Sequence, residues 1–215
     1  MRARTAVIAL LLLSNAAWAV DVGPPPPLAA RVRAPGGYGA VPVDDFLAQV
    51  QHLPAAEVQP LAAAGRPDAQ IQLARLRWMD GDALTPIEAV RPHAQAGIAV
   101  AQYLLGTWLR VRNRDLPGAL TWLTAAAQQG HPMAQEALAG AHERGLLGLP
   151  ASPEQAFTLY LAAGKAGLAH AQLQVALALC QGRGVAPDKA LGRQWLANSQ
   201  QGQLVPVTAQ GAGCD

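Results

Sequence analysis

The chain has 215 residues, of which 51% are hydrophobic, 14% charged and 5% aromatic. This suffices for one domain with a genuine core and excludes a charge-dominated disordered chain. Lysine and arginine number 16 against 14 acidic residues, and without Arg2 and Arg4 the balance is even, which excludes the electrostatic footprint of a nucleic-acid binder.

The first 19 residues, MRARTAVIALLLLSNAAWA, have the layout of a secretory signal peptide. Arg2 and Arg4 form the charged region, Ala6 to Leu13 the apolar run, and Ala17-Trp18-Ala19 the small-residue cleavage site. The apolar run is well short of the roughly 20 residues of a membrane-spanning helix. Cleavage after Ala19 is therefore expected, with export to the periplasm or beyond the cell and no membrane span in the mature chain. Residues 20–42 are rich in proline and glycine and read as an extended linker.

From residue 43 to residue 202 the chain organises itself by repetition. Gly, three residues, then Ala-Gln recurs at Gly65, Gly97, Gly130 and Gly167, with spacings of 32, 33 and 37 residues. A period in this range is the signature of a helical solenoid. Four residues after each alanine stand Leu73, Leu105, Leu138 and Val175; one further stand the small Ala74, Gly106, Ala139 and Ala176. These positions share one face of a helix, so each repeat opens with a helix that buries an apolar side chain beside a small one.

The second helix of each repeat is marked by its start. Thr85-Pro86-Ile87-Glu88 and Ser152-Pro153-Glu154-Gln155 read as capping boxes, and Pro117 and Pro187 stand at equivalent places. Gly97, Gly130, Gly167 and Gly202 fit the left-handed position that ends a helix. The glycine pair Gly182 and Gly184, with Lys189 behind it, raises the question of a phosphate loop. Such a loop follows a strand and places its lysine directly after the last glycine. Here the pair falls between a helix ending near Cys180 and one beginning near Pro187, which makes it a turn. Pro92, inside the second helix of the first repeat, is expected to kink or shorten it.

Ala101-Gln102-Tyr103-Leu104-Leu105-Gly106, Gly182-Arg183-Gly184-Val185 with Asp188-Lys189-Ala190, and Trp122 through Ala125-Ala126-Ala127 to Gly130 together resemble the Sel-one-like repeat, a subfamily of tetratricopeptide-like solenoids. The resemblance implies an all-α fold: a right-handed α-α superhelical solenoid of about four helix-turn-helix repeats, near 65–96, 97–129, 130–166 and 167–202. Residues 43–64, with Phe46 and Leu47, are expected to cap the start, and 203–215 to form a tail. The second repeat departs from the pattern, with Arg112 and Arg114 where glycines would fall.

The resemblance also implies a scaffold or adaptor that binds a protein or peptide partner without a cofactor. On the first helices, the second and sixth positions after the alanine point away from the buried face. With Arg110 they define a candidate groove of Ile71, Arg75, Tyr103, Thr107, Arg110, Glu136, Leu173 and Leu177, with Gly140 among them. The alternative is that these residues contact neighbouring helices. A second functional class, an envelope hydrolase of the β-lactam- or peptidoglycan-related kind, finds no S-x-x-K or G-x-S-x-G around Ser14, Ser152 or Ser199. No His-Glu-x-x-His motif is present. His142-Glu143 is imaginable as an acid–base pair, though a half-buried histidine beside a solvated glutamate is the commoner arrangement. The two cysteines, Cys180 and Cys214, are expected to pair in an oxidising compartment and to staple the tail over the end of the solenoid.

Overall fold

A computed structural model of the chain describes residues 22–24, 47–82, 84–200 and 208–215. The expected signal peptide, most of the linker, Phe46, Gly202 and Pro206 lie outside the described residues. Ten α-helices follow in order: α1 (Ala55–Ala63), α2 (Pro67–Met79), α3 (Thr85–Gln95), α4 (Ala99–Trp108), α5 (Leu116–Gln128), α6 (Pro132–Arg144), α7 (Pro153–Lys165), α8 (Ala169–Gln181), α9 (Lys189–Ser199) and α10 (Ala209–Ala212). A π-helical turn, Leu109–Asn113, continues α4, and the described residues contain no strand. From α1 to α9 each helix packs chiefly on its neighbours in sequence, and α10 returns to α8. The pairs α2–α3, α4–α5, α6–α7 and α8–α9 correspond to the four repeats, so the fold is an all-α solenoid.

The repeated Gly–x–x–x–Ala–Gln motif builds the seam between one pair and the next. Gly65, Gly97, Gly130 and Gly167 have φ of 86°, 87°, 84° and 96° and end α1, α3, α5 and α7. No heavy atom lies within 4 Å of where a Cβ would stand on Gly65, Gly97 or Gly130, so glycine is needed there for its backbone freedom. After each glycine the next N–H reaches back five residues, as in His131 N to Ala126 O at 3.1 Å, the hydrogen bond of a Schellman motif.

The glutamine completes the seam. Gln70, Gln102, Gln135 and Gln172 each donate from Nε2 to a carbonyl eight residues upstream: Ala62 at 3.1 Å, Ala94 at 3.2 Å, Ala127 at 3.4 Å and Gly164 at 3.0 Å. Each of those carbonyls also accepts from the seam glycine's own N–H. The last carbonyls of a helix lack their ordinary helical partner, and here the closing turn supplies one donor and a side chain of the following helix a second. Gln102 is tied further, its Oε1 accepting from Gln129 Nε2 at 2.7 Å.

The alanine and small-residue columns are buried as the period requires. Ala69, Ala101, Ala134 and Ala171 have no exposed surface, and Leu105, Leu138 and Val175 are buried with Ala74, Gly106, Ala139 and Ala176, while Leu73 is half-buried. A Cβ on Gly106 would lie 2.9 Å from Leu123 Cγ, so the missing side chain is what lets α5 approach α4. Two clusters divide the core, one around α1–α6 and one around α6–α10.

Several local expectations need correction. Thr85 is the first residue of α3 and not its cap; the Asp82 carboxylate accepts from Leu84 N and Thr85 N, each at 3.2 Å. Ser152 does cap α7, its Oγ accepting from Gln155 N at 3.3 Å. Pro187 stands before the cap of α9, and Asp188 caps that helix by accepting from Leu191 N at 2.9 Å. Helix α3 runs through Pro92 to Gln95. Pro92 and Glu88, whose carbonyl loses its helical partner to the proline, are both exposed, so water can serve the orphaned oxygen.

The cap at the start is half of a repeat. Helix α1 ends at Gly65 with the same glycine and glutamine bonds as α3, α5 and α7 and thus stands where the second helix of a preceding repeat would be. At the other end the Ala-Gln pair recurs as Ala209-Gln210 at the start of the four-residue α10, a stub of a first helix. Cys180 and Cys214 form a disulfide that ties this stub to α8.

Candidate binding face

The first helices α2, α4, α6 and α8 and, for Arg110, the π-helical turn carry the candidate groove residues, and five of them are linked electrostatically or by a hydrogen bond at Tyr103. Tyr103 of α4 is half-buried, with Thr107 one turn further along the helix. Burial pushes its phenol above the ordinary value and the Glu136 charge adds to that shift, while a hydrogen bond with Thr107 and the charges of Arg110 and Arg75 oppose it. Arg75, Thr107, Arg110 and Glu136, drawn from α2, α4, the π-helical turn and α6, thus all act on one phenol, Thr107 by a hydrogen bond and the others through their charge. The Tyr103 ring stacks on His131 with centroids 4.8 Å apart. His131 is held in place as the cap of α6, its Nδ1 accepting from Ala134 N at 3.3 Å.

The other three candidates fare differently. Ile71 has no exposed surface and leaves the candidate set. Residues 47–53 lie over that part of α2, where Gln72 Nε2 donates to Gln51 O at 3.2 Å, and Ile71 joins Leu47, Val50 and Val58 in the core. Leu173 and Leu177 are half-buried against the second core cluster, in line with the contact-with-neighbours alternative. Gly140 is buried and lies 3.5 Å, measured from where its Cβ would stand, from Tyr160 Oη.

Beyond Glu136 the face continues through residues that sequence reasoning missed. Glu136 pairs with His170 Nδ1, and Gln174 Nε2 lies 3.2 Å from His170 Nε2. The hydrogen bond to Glu136 holds His170 above the usual histidine value against the opposing effect of burial. The Tyr160 ring meets that of His170 edge-on at 6.5 Å. Its hydroxyl donates to Glu143 Oε2 at 3.1 Å, and burial with the Glu143 charge pushes the phenol far up. Arg183 Nη1 then donates to Glu143 Oε1 at 3.0 Å, joining α6 to the turn after α8.

That turn is where Gly182 and Gly184 stand, with φ of 69° and 70°. A Cβ on Gly184 would run into the backbone of Pro153 and Glu154, so the glycine lets the turn settle on the start of α7. The pair is thus a turn, and its product is the placement of Arg183. Glu143, Pro153, Ala156, Phe157, Tyr160, Gln174, Ala178 and Arg183 line a pocket of about 180 Å³. Its size suits one aromatic or branched aliphatic side chain.

Of the residues weighed for catalysis, Glu143 turns to Tyr160 and Arg183, while His142 is partly buried and burial lowers its pKa against a hydrogen bond with the Pro150 backbone. Ser152 caps α7, and Ser199 is buried with its Oγ donating to Leu196 O at 2.8 Å.

A family model described as the Sel1 repeat matches residues 92–131, 132–168 and 169–198. Among solved structures the chain is similar to a Sel1 repeat protein from Oxalobacter formigenes, with 23% identity and a TM-score of 0.61 over 68% of this chain and 62% of that one. It is also similar to a protective antigen of uropathogenic Escherichia coli strains displaying an SLR fold, at 22% identity and a TM-score of 0.52, over 68% of this chain and 40% of that one. This chain therefore spans less than two thirds of either structure. A search of the curated proteins finds no match. The matched repeats meet at the Gly–Gln seams and coincide with the stacked helix pairs from α4 to α9, and on these grounds the chain belongs to the Sel1 repeat family.

Proposed function

We propose that the protein is an exported, non-catalytic adaptor of the cell envelope that binds a protein or peptide segment along the face of α2, α4, α6 and α8. The observation that carries the reading is the strip of contacts from Tyr103 and His131 through Glu136 and His170 to Tyr160, Glu143 and Arg183, with the charges of Arg75 and Arg110 acting on the Tyr103 phenol, which ends at the pocket lined by Phe157. Solenoids present such a face as an extended concave surface, and an aromatic-lined pocket beside paired charges holds one anchor side chain while the strip orients the backbone. Export is supported by the form of the first 19 residues and by the Cys180–Cys214 disulfide, a bond that persists in oxidising compartments.

Cross-linking capture from the native envelope tests the reading, with the wild-type protein beside an Arg75→Glu, Arg110→Glu variant. Both arginines are exposed, so the variant is expected to keep the wild-type helical content and thermal midpoint. A partner held by the wild type and lost by the variant supports the groove. Equal capture by both refutes it.

A further inference from the structure

Trp195 of α9 is fully buried at the last helix of the solenoid, and its Nε1 donates to the carbonyl of Gly23 at 3.2 Å, 172 residues away. Val22 packs against the core cluster that contains Trp195, Leu196, Ala212 and Cys214. Both Val22 and Gly23 are half-buried, while Pro24 is exposed. A buried indole N–H needs an acceptor, and the segment from the opposite end of the chain supplies it.

The repeat explains why that place is open. Counting seven residues back from each closing glycine gives Val90, Leu123, Tyr160 and Trp195, equivalent positions on α3, α5, α7 and α9. Tyr160 meets His170 of α8, the first helix of the next repeat. Among the described residues Trp195 is followed by no full helix, α10 being four residues long. The Gly23 carbonyl meets Trp195 instead, with Val22 packed against the same cluster.

We propose that this end of the solenoid is a second peptide-docking site, distinct from the polar strip. Its ligand is an extended segment that places an apolar side chain one residue before a glycine. The chain's own Val22-Gly23 is the resident occupant. The valine packs against the apolar cluster that contains Trp195, and the glycine takes a left-handed φ of 52° with its carbonyl on the indole N–H. One side chain and one hydrogen bond make a weak contact, and the covalent connection to Leu47 keeps it filled by raising the local concentration to the millimolar range. A displaceable occupant of this kind holds the site for a partner with the same pattern.

Indole hydrogen exchange, followed by NMR on the protein isolated from its own cells, tests this. The Trp195 resonance is identified by its loss in Trp195→Phe. In the wild type the Trp195 N–H is expected to exchange slowly and to ignore added peptide. In Val22→Asp, which alters no helix, exchange is expected to rise about tenfold or more. A synthetic peptide of residues 20–27 should then restore protection saturably, and the same peptide with aspartate for the valine should not. Unchanged exchange in Val22→Asp overturns the proposal, as does failure of the peptide to protect the variant. Protection in the wild type that fades on dilution shows that the occupant comes from a second copy, and overturns the assignment within one chain.

Discussion

At the start of the solenoid, α1 closes the stack by the repeat's own rule: Gly65 turns the chain, Gln70 caps Ala62, and Val58 and Ala62 are buried against α2 with Leu47 and Val50. At the other end the rule runs out after α9. The stub α10 is held by the Cys180–Cys214 bond and by Gln181, Lys189 and Arg193, which donate to the carbonyls of Ala212, Asp215 and Cys214. A nine-residue helix buries enough apolar surface to hold its place by packing. A single helical turn does not, since nucleation is unfavourable and only one of its residues, Ala212, is buried, so covalent and polar ties replace packing. The contrast shows that a repeat array needs its ends covered and that either a further half-unit or a cross-link serves.

Changes at the two ends should separate these modes. The largest effect is expected from Val58→Asp, which puts an unpaired carboxylate into the packed end and should cost about 3–5 kcal/mol in chemical denaturation. Cys214→Ser removes a link across 34 residues and should cost about 3 kcal/mol. Its footprint in amide hydrogen exchange should be confined to α9, α10 and the C-terminal part of α8; a simultaneous rise in α1 would show that the ends are coupled. The seams give a finer comparison. Gln172 is fully buried and Gln70 half-buried, so Gln172→Leu should cost about 2 kcal/mol and Gln70→Leu about 1 kcal/mol: each carbonyl keeps the seam glycine's N–H but loses its second donor, which water can replace only at the half-buried seam.

The smallest effect is expected at His170, whose side chain is largely exposed. Its folded value is raised by Glu136, so the pair stabilises fully below the ordinary histidine range and its contribution is lost as pH rises through the raised value. The thermal midpoint of His170→Asn should fall below wild type at pH 5.5 and converge with it at pH 9, a gap within the range of exposed pairs, below about 1 kcal/mol. A gap that widens with pH would contradict the sign of the shift.

The helix pairs, the buried columns and the turn at Gly182–Gly184 were legible in the sequence because each is set by local spacing. The role of the seam glutamines was not, though their column was in plain view: their acceptor is a carbonyl on the helix before, which is open to a second donor only once that helix has a defined end. The burial of Ile71 depends on residues 47–53 folding over α2, a segment without the repeat's signature. Glu143 and Arg183 stand 40 residues apart, one repeat plus three, and their pairing follows from how α6 and the turn after α8 stack. Arg75, Tyr103, Thr107 and Glu136 were placed on one face by helix geometry alone, since position on a helix fixes direction before packing does. Tyr160 escaped that search because it sits on a second helix, from which it reaches through to the face of the first ones.

The disulfide also sets how the molecule answers tension. Cys180 and Cys214 enclose all of α9, so a pull applied through residues on either side of the pair travels across two sulfur atoms and never loads that helix. Stretched to its limit under oxidising conditions, the chain should come up short by about 110 Å of contour, which a reductant would release in one step. Force entering from the C-terminal side therefore passes directly to α8 and the face it carries, while α9 stays slack behind it.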